Sequence, residues 1–245
     1  MLRVRPAALS LHSPSPPLLR RNPRAPFSVR MSSSAPDQII EHVVLLKAKP
    51  SADPSSVNDM IRSLNALATL ASVLHISAGP VSRCRSSSAL SFTHIIHSRY
   101  RSKSDLASYN ADPLHLAVVA DHVRPVAGDA MAVDWVAGDF SGPAAVPPGA
   151  ALRVTVMKVK DESAKGEVLG IARGMKGKFD AIEQVTAGEN FSPERSKGFS
   201  IASIAVVKEL EALGVISEVV SEHLDDVVVL DYAVPAQKPG AAARL

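Results

Sequence analysis

The 245-residue chain holds a single cysteine, Cys84, which excludes an internal disulfide framework and suits a reducing compartment. Nothing around that thiol in the sequence marks it as a nucleophile, and it reads as a small packing residue. Long apolar runs are missing too. No window approaches the roughly 18–20 continuous apolar residues that span a bilayer, so no membrane partner is expected. There is no phosphate loop, no Rossmann glycine fingerprint and no basic amphipathic membrane helix. Residues 1–36 lack both acidic residues and lysine, yet carry six arginines (Arg3, Arg5, Arg20, Arg21, Arg24, Arg30). Subtracting those six from the formal charge of +3 leaves −3 for residues 37–245. The basic balance thus belongs to the leader and does not describe a nucleic-acid-binding face.

The Arg/Ser/Pro-rich leader, residues 1–36, reads as a transit peptide for an organelle such as the plastid, or as a disordered tail. Residues 236–245 form a Lys-Pro-Gly-Ala tail closing on Ala243-Arg244-Leu245, a variant of the Ser-Lys-Leu peroxisomal signal. Met31 offers an internal start that would discard the leader. The expectation is a peroxisomal protein, with the plastid as alternative or second destination.

Between these ends the chain repeats itself. IIEHVVLLKAK (39–49) resembles ALRVTVMKVK (151–160). Each is followed by a helical stretch, about 55–71 and about 162–178, and then by a short strand with Ala-Gly, HISAGP (75–80) and QVTAGEN (184–190). A polar Ser/Arg-rich turn comes next in both, then a β-rich run, ALSFTHIIHSR (89–99) and GFSIASIAVVK (198–208). Each copy closes on an Asp-aromatic pair, AVDW (132–135) and VLDY (229–232). The copies cover 39–140 and 151–235, and the Pro/Gly/Ala stretch 141–150 links them. Each reads β-α-β-β-α-β, an α+β ferredoxin-like unit. Its helices cover one sheet face, but strand 39–47 is apolar on both: Ile40, His42, Val44 and Leu46 share one side, Val43 and Leu45 the other. The open face needs a partner sheet, supplied by the second copy as an intramolecular pseudo-dimer or by a homodimer.

Copy one also carries the chemistry-bearing residues. On the 90–97 strand, period two places Leu90, Phe92, His94 and Ile96 on one face and His97 on the other with Thr93 and Ile95. In Tyr-Asn-Ala-Asp-Pro-Leu-His (109–115), Pro113 suits the first turn of a new helix and Asp112 its N-cap. Leu116, Val119, Ala120 and Val123 mark the expected buried stripe, with His115 at its edge and His122 along the same line. A neutral imidazole near a helix N-terminus is a usable base. A histidine on an apolar strand, such as His42 or His94, is more often a hydrogen-bonded core residue.

The strand IEHVVLLK, the AGP turn, SFTHII, YNADPLH and AVDW together resemble the stress-responsive dimeric α/β-barrel family, in a tandem two-domain form known from plants. The resemblance implies two ferredoxin-like units forming α/β barrels and a role in stress response. Copy one is also similar to plant polyketide cyclases of the olivetolic-acid type, which close poly-β-ketoacyl thioesters by aldol condensation. Their Tyr-x-x-His-Pro-x-His pattern is met by Tyr109 and His115, with Asp112 in place of the first histidine; His42 and His94 match two strand histidines. In copy two, Arg153 falls about where His42 does and Ser203 about where His94 does.

Two functions fit these residues. One is a non-catalytic or small-ligand-binding stress-response protein. The alternative is a cofactor-free cyclase in which His115 removes an α-proton and Tyr109 polarises a carbonyl, while His42 and His94 line the cavity. No cofactor is required, because a carbon between two carbonyls is already acidic. A metal centre of His42, His94 and His115 lacks any short-spacing ligand signature, so no metal is expected.

Overall fold

The structure, a computed structural model, describes residues 38–138, 140–215 and 222–236. The Arg-rich leader, Met31 and the closing tripeptide lie outside the described residues. Copy one comprises β1 (Ile39–Ala48), α1 (Pro54–Ala66), β2 (His75–Pro80), β3 (Arg83–Ser86) and β4 (His94–Tyr100). A broken helical roof follows: α2 (Lys103–Ala111), α3 (Pro113–Val118), a π-turn (Val119–Val123) and α4 (Arg124–Val126), leading into β5 (Ala127–Ala137). Copy two comprises β6 (Ala151–Val159), α5 (Lys165–Arg173), β7 (Gln184–Glu189), β8 (Ile201–Val207) and β9 (Leu224–Ala233).

The first sheet has the order β2-β4-β1-β5 and the second β3-β9-β6-β8-β7, with every pairing antiparallel. Both contain the ferredoxin-like order, and the second gains β3 at its edge. The Ser/Arg-rich stretch of copy one is thus a strand of the other copy's sheet rather than a turn. Its arginines explain the exchange: Arg83 Nε and Nη2 donate to Asp231 on β9 at 2.9 and 2.6 Å.

Strand alternation sorts β1 as its sequence predicts. Ile40 and Leu46 pack under the helices with Met60 and Leu64 of α1. Val43 and Leu45 join Met131, Val133, Leu152, Val154, Ile204 and Leu230 in one core between the two sheets. The barrel therefore closes within a single chain. Backbone bonds stitch its seams, among them Ser82 N–H to Asp231 O at 2.8 Å and Phe191 N–H to Asp134 O at 2.9 Å.

The repeated Ala-Gly and Asp-aromatic motifs meet across these seams. A Cβ on Gly188 would lie 2.8 Å from both Trp135 Cδ1 and the Val136 carbonyl oxygen, and one on Gly79 would lie 3.0 Å from Tyr232 Cε2. Each copy's glycine makes room for the other copy's aromatic ring. Trp135 and Tyr232 are fully buried, and the Tyr232 hydroxyl is 2.5 Å from Ser77 Oγ. Burial pushes that phenol up to about 12.

At one end of the interior, copy one buries charge. Glu41 pairs with His97 Nε2 at 2.7 Å and Arg99 Nη2 at 2.9 Å, and accepts from Thr186 of copy two at 2.9 Å. Burial raises the Glu41 carboxyl, but Arg99 and His97 outweigh it and hold the group at about 2. At the equivalent register positions copy two has Leu152, Ile204 and Val206.

Two sequence expectations change. β4 starts only at His94 after a bend at Thr93, so Phe92 faces the barrel core while Ile96 faces the helices. Period two does not carry across that bend. The predicted stripe of α3 also shifts: Leu114 and Leu116 are 47% and 53% exposed, while Val118 and Val126 are buried. The π-turn inserts an extra residue per turn and breaks the 3.6 period, so Val119 and Val123 face a cavity, not the sheet.

Candidate functional site

Beneath the roof of copy one lies a cavity of about 510 Å³. Its walls are mainly apolar: Val44 and Leu46 from β1, Leu64 from α1, Ile96 from β4, and Val119 and Val123 from the π-turn. His42, Tyr109 and His115 converge on it from β1, α2 and α3. The Tyr109 ring centroid is 4.3 Å from that of His115 and 6.3 Å from that of His42.

The join between α2 and α3 makes this convergence. Asp112 caps α3, accepting from Leu114 N–H at 2.8 Å, and Pro113 opens the helix. The chain turns there, so Tyr109 before the join and His115 after it reach the same space. His115 Nδ1 lies 3.3 Å from Asn110 O, a contact that makes Nδ1 the donor and leaves the lone pair on Nε2. Burial lowers the His115 pKa, so the imidazole is neutral at pH 7. Burial raises the Tyr109 phenol, which stays a protonated donor.

His42 is held from behind. Its Nδ1 bonds Asp134 Oδ1 on β5, directly opposite in the β1–β5 register. The other carboxylate oxygen of Asp134 accepts from Ser192 Oγ and Arg195 Nη2 of copy two. Burial raises Asp134, yet the bonds from His42, Ser192 and Arg195 more than offset it and keep the group an anion. Glu194, Arg195 and Lys197 of copy two also line the cavity. Both cations are paired, Arg195 with Asp134 and Lys197 with Asp129 at 2.9 Å, so no free positive charge faces the space from these two side chains.

His94 does not line this cavity. It sits half-buried at the start of β4, with Nδ1 2.8 Å from Thr93 Oγ1, and burial lowers its pKa. Three of the four expected residues therefore meet, and the three-histidine cluster does not form. Among the described residues no group of three or more His, Cys, Asp or Glu is placed to hold a metal. Among them no helix is long and apolar enough to cross a membrane.

Asp134 and Arg195 escaped the sequence reading of the site. Their signal lay in the repeat: both Asp-aromatic pairs and both Ser/Arg-rich stretches recur, and each stretch clamps the aspartate of the other copy. In copy two Arg153 sits opposite Asp231, as His42 sits opposite Asp134, and donates to it at 2.8 Å. The register corrects one equivalence: Ile201 matches His94, whereas Ser203 matches Ile96. The corresponding space beside Arg153, Thr155 and Ser203 has no open volume.

Residues 40–137 and 152–234 both match the model of the Stress responsive A/B Barrel Domain. The chain is 46% identical over 237 residues to one Stress-response A/B barrel domain-containing protein of Arabidopsis thaliana, covering 91% of this chain and 89% of that protein. It is 38% identical over 206 residues to another protein of the same description from the same plant, covering 81% and 98%. A solved Fusobacterium nucleatum protein, provisionally described as a monooxygenase, shares the fold at 12% identity and a TM-score of 0.54, over 81% of this chain and 94% of its own. Two copies of one family domain, in the order and register described, make this chain a member of the stress-responsive A/B barrel family.

Proposed function

We propose that copy one is a small-ligand-binding domain serving a stress response, and that its ligand is a neutral molecule with an apolar body and a carbonyl group. One observation carries this reading: an apolar cavity with Tyr109, His115 and His42 at its polar wall is open in copy one and closed in copy two. The protonated Tyr109 phenol is a hydrogen-bond donor suited to a carbonyl oxygen. Because Arg195 and Lys197 are already paired, a free carboxylate would gain little there. Calorimetric titration of the full chain with 2-nonanone and with nonanoate tests this. The ketone is expected to bind saturably and to weaken about tenfold in Tyr109→Phe, the loss of one hydrogen bond. Absence of ketone binding, or tighter binding of nonanoate, sinks the reading.

The His42–Asp134 pair and the neutral His115 support a second reading, a cofactor-free cyclase acting on a poly-β-ketoacyl thioester. His115 Nε2 would take the proton from a carbon between two carbonyls, and the enolate carbon would then attack a distal ketone carbon. The resulting alkoxide would regain the proton from His115, while Tyr109 donates to the enolate oxygen. Equal cyclisation rates for wild type and His115→Ala would remove this alternative. For localisation, the Arg-rich residues 1–36 support a plastid address and Ala243-Arg244-Leu245 a peroxisomal one. Fluorescent fusions of residues 1–36 and of the last ten residues, expressed separately, test both; a fusion that stays in the cytosol eliminates its address.

A further inference from the structure

Ala78 on β2 and Ala187 on β7 are equivalent. Each precedes the glycine that makes room for the other copy's aromatic ring, and each lies opposite an equivalent residue of the next strand, Ile96 and Ser203. Both strands end the hydrogen-bonded order of their sheets, so outward backbone groups there need partners from elsewhere. In copy one Asn65 of α1 satisfies both groups of Ala78: Nδ2 donates to the carbonyl at 2.9 Å, and Oδ1 accepts from the N–H at 3.0 Å.

In copy two Arg173, at the end of α5, takes that place. It donates to Ala187 O at 3.3 and 3.4 Å, but a guanidinium has no acceptor to offer. Among the described residues no side chain accepts from Ala187 N–H. That residue borders a cleft of about 250 Å³ separate from the copy-one cavity. Lys176 and Ser141 line it beside Arg173, and Phe140 and Val185 supply apolar wall. No Asp or Glu lines it among the described residues, and Lys176 has no ion-pair partner among them. Arg173, Lys176 and Ser141 thus bring donors and positive charge to the cleft.

We propose that this cleft binds an oxyanion. One oxygen accepts from Ala187 N–H, where Asn65 Oδ1 does in copy one, and Arg173 and Lys176 share the charge. Carboxylate and phosphate oxygens offer the same chemistry; the Phe140 and Val185 wall favours a small organic carboxylate. The test is amide NMR on the full chain, titrated with benzoate, inorganic phosphate and chloride at constant ionic strength. Ala187 and its neighbours shift saturably with benzoate, less with phosphate and not with chloride. Arg173→Gln and Lys176→Gln each weaken the benzoate response about tenfold, the loss of one charge-assisted contact. Both side chains are exposed, so the melting temperature stays unchanged and separates lost binding from lost fold. An Ala187 amide unmoved by either oxyanion, or moved equally in the double variant, overturns the site. A stronger response to phosphate than to benzoate overturns the carboxylate assignment.

Discussion

In copy one the carboxylate of Asp134 lies between His42 and Arg195; in copy two that of Asp231 lies between Arg153 and Arg83. The architecture is the same: a strand neighbour on one side, an arginine from the other copy on the other. The long guanidinium of Arg153 borders a space with no open volume, while the shorter imidazole of His42 faces a cavity. The roofs differ as well. Residues 103–126 of copy one form a broken helix over the sheet, while the described part of the equivalent stretch in copy two is a short turn, Leu210–Val215, whose Leu213 packs in its core. A repeat can therefore keep its inter-copy clamp and give up its cavity, because the clamp lies at the seam and the cavity under the roof.

The largest break in this comparison is expected at the interior charge of copy one. Arg99→Ala leaves Glu41 buried without its guanidinium and costs about 3–5 kcal/mol, read from chemical denaturation. The triple change Glu41→Leu, His97→Ile, Arg99→Val installs the residues of copy two and restores stability to near that of the wild type, since hydrophobic replacement of a buried ion network is often neutral or stabilising. A triple variant as unstable as Arg99→Ala would show that copy one requires the charges.

Acid comes next. Burial, with the charges of His97 and Arg99, lowers His75 to about 3, and burial also lowers His97. A histidine depressed on folding binds fewer protons in the native than in the unfolded state. Its contribution is thus whole above the unfolded value near 6.5 and is lost as pH falls toward the folded value. Glu41, Asp134 and Asp231, all depressed, lose theirs further down, as pH falls through their own folded values. Stability should fall by up to about 1.4 kcal/mol per pH unit per histidine below pH 6.5. His75→Leu should flatten that slope, and an unchanged slope would contradict the assignment.

The two glycines sharpen the seams. Gly188→Ala forces its Cβ against the Val136 carbonyl as well as Trp135, and should cost about 1–3 kcal/mol. Gly79→Ala meets only the Tyr232 ring and should cost less. The reverse order in melting temperatures would contradict the interlock. Smallest is His42→Arg, which makes the copy-one clamp resemble that of copy two. Asp134 stays paired, so stability should change by less than about 1 kcal/mol, as for a satisfied pair, while 2-nonanone binding falls. Full retention of ketone affinity would detach His42 from the cavity's function.

Much of the fold was legible because strand and helix periods are local. β1 alternates over its whole length, so its two faces and the need for a second sheet follow from the sequence. Asp112 and Pro113 announce a helix start by their own chemistry, whereas the closeness of Tyr109 and His115 emerged only in the folded chain. Periodicity failed where the backbone left its period. The bend at Thr93 set Phe92 and His94 apart, and the π-turn displaced the stripe of α3. The Ser/Arg stretch looked like a turn because its partners, β9 and Asp231, lie far along the chain, the separation of Arg83 from Asp231 being 148 residues.

By itself the sequence determined a tandem α+β repeat, the apolar faces that must pack and the helix start at Asp112 and Pro113, since each rests on neighbours along the chain. Only the tertiary structure decided that the barrel closes within one chain, that copy two's loop orients His42 through Asp134, and that one of two equivalent spaces stays open. Those outcomes depend on which side chains meet across the seams and on the volume left between sheet and roof.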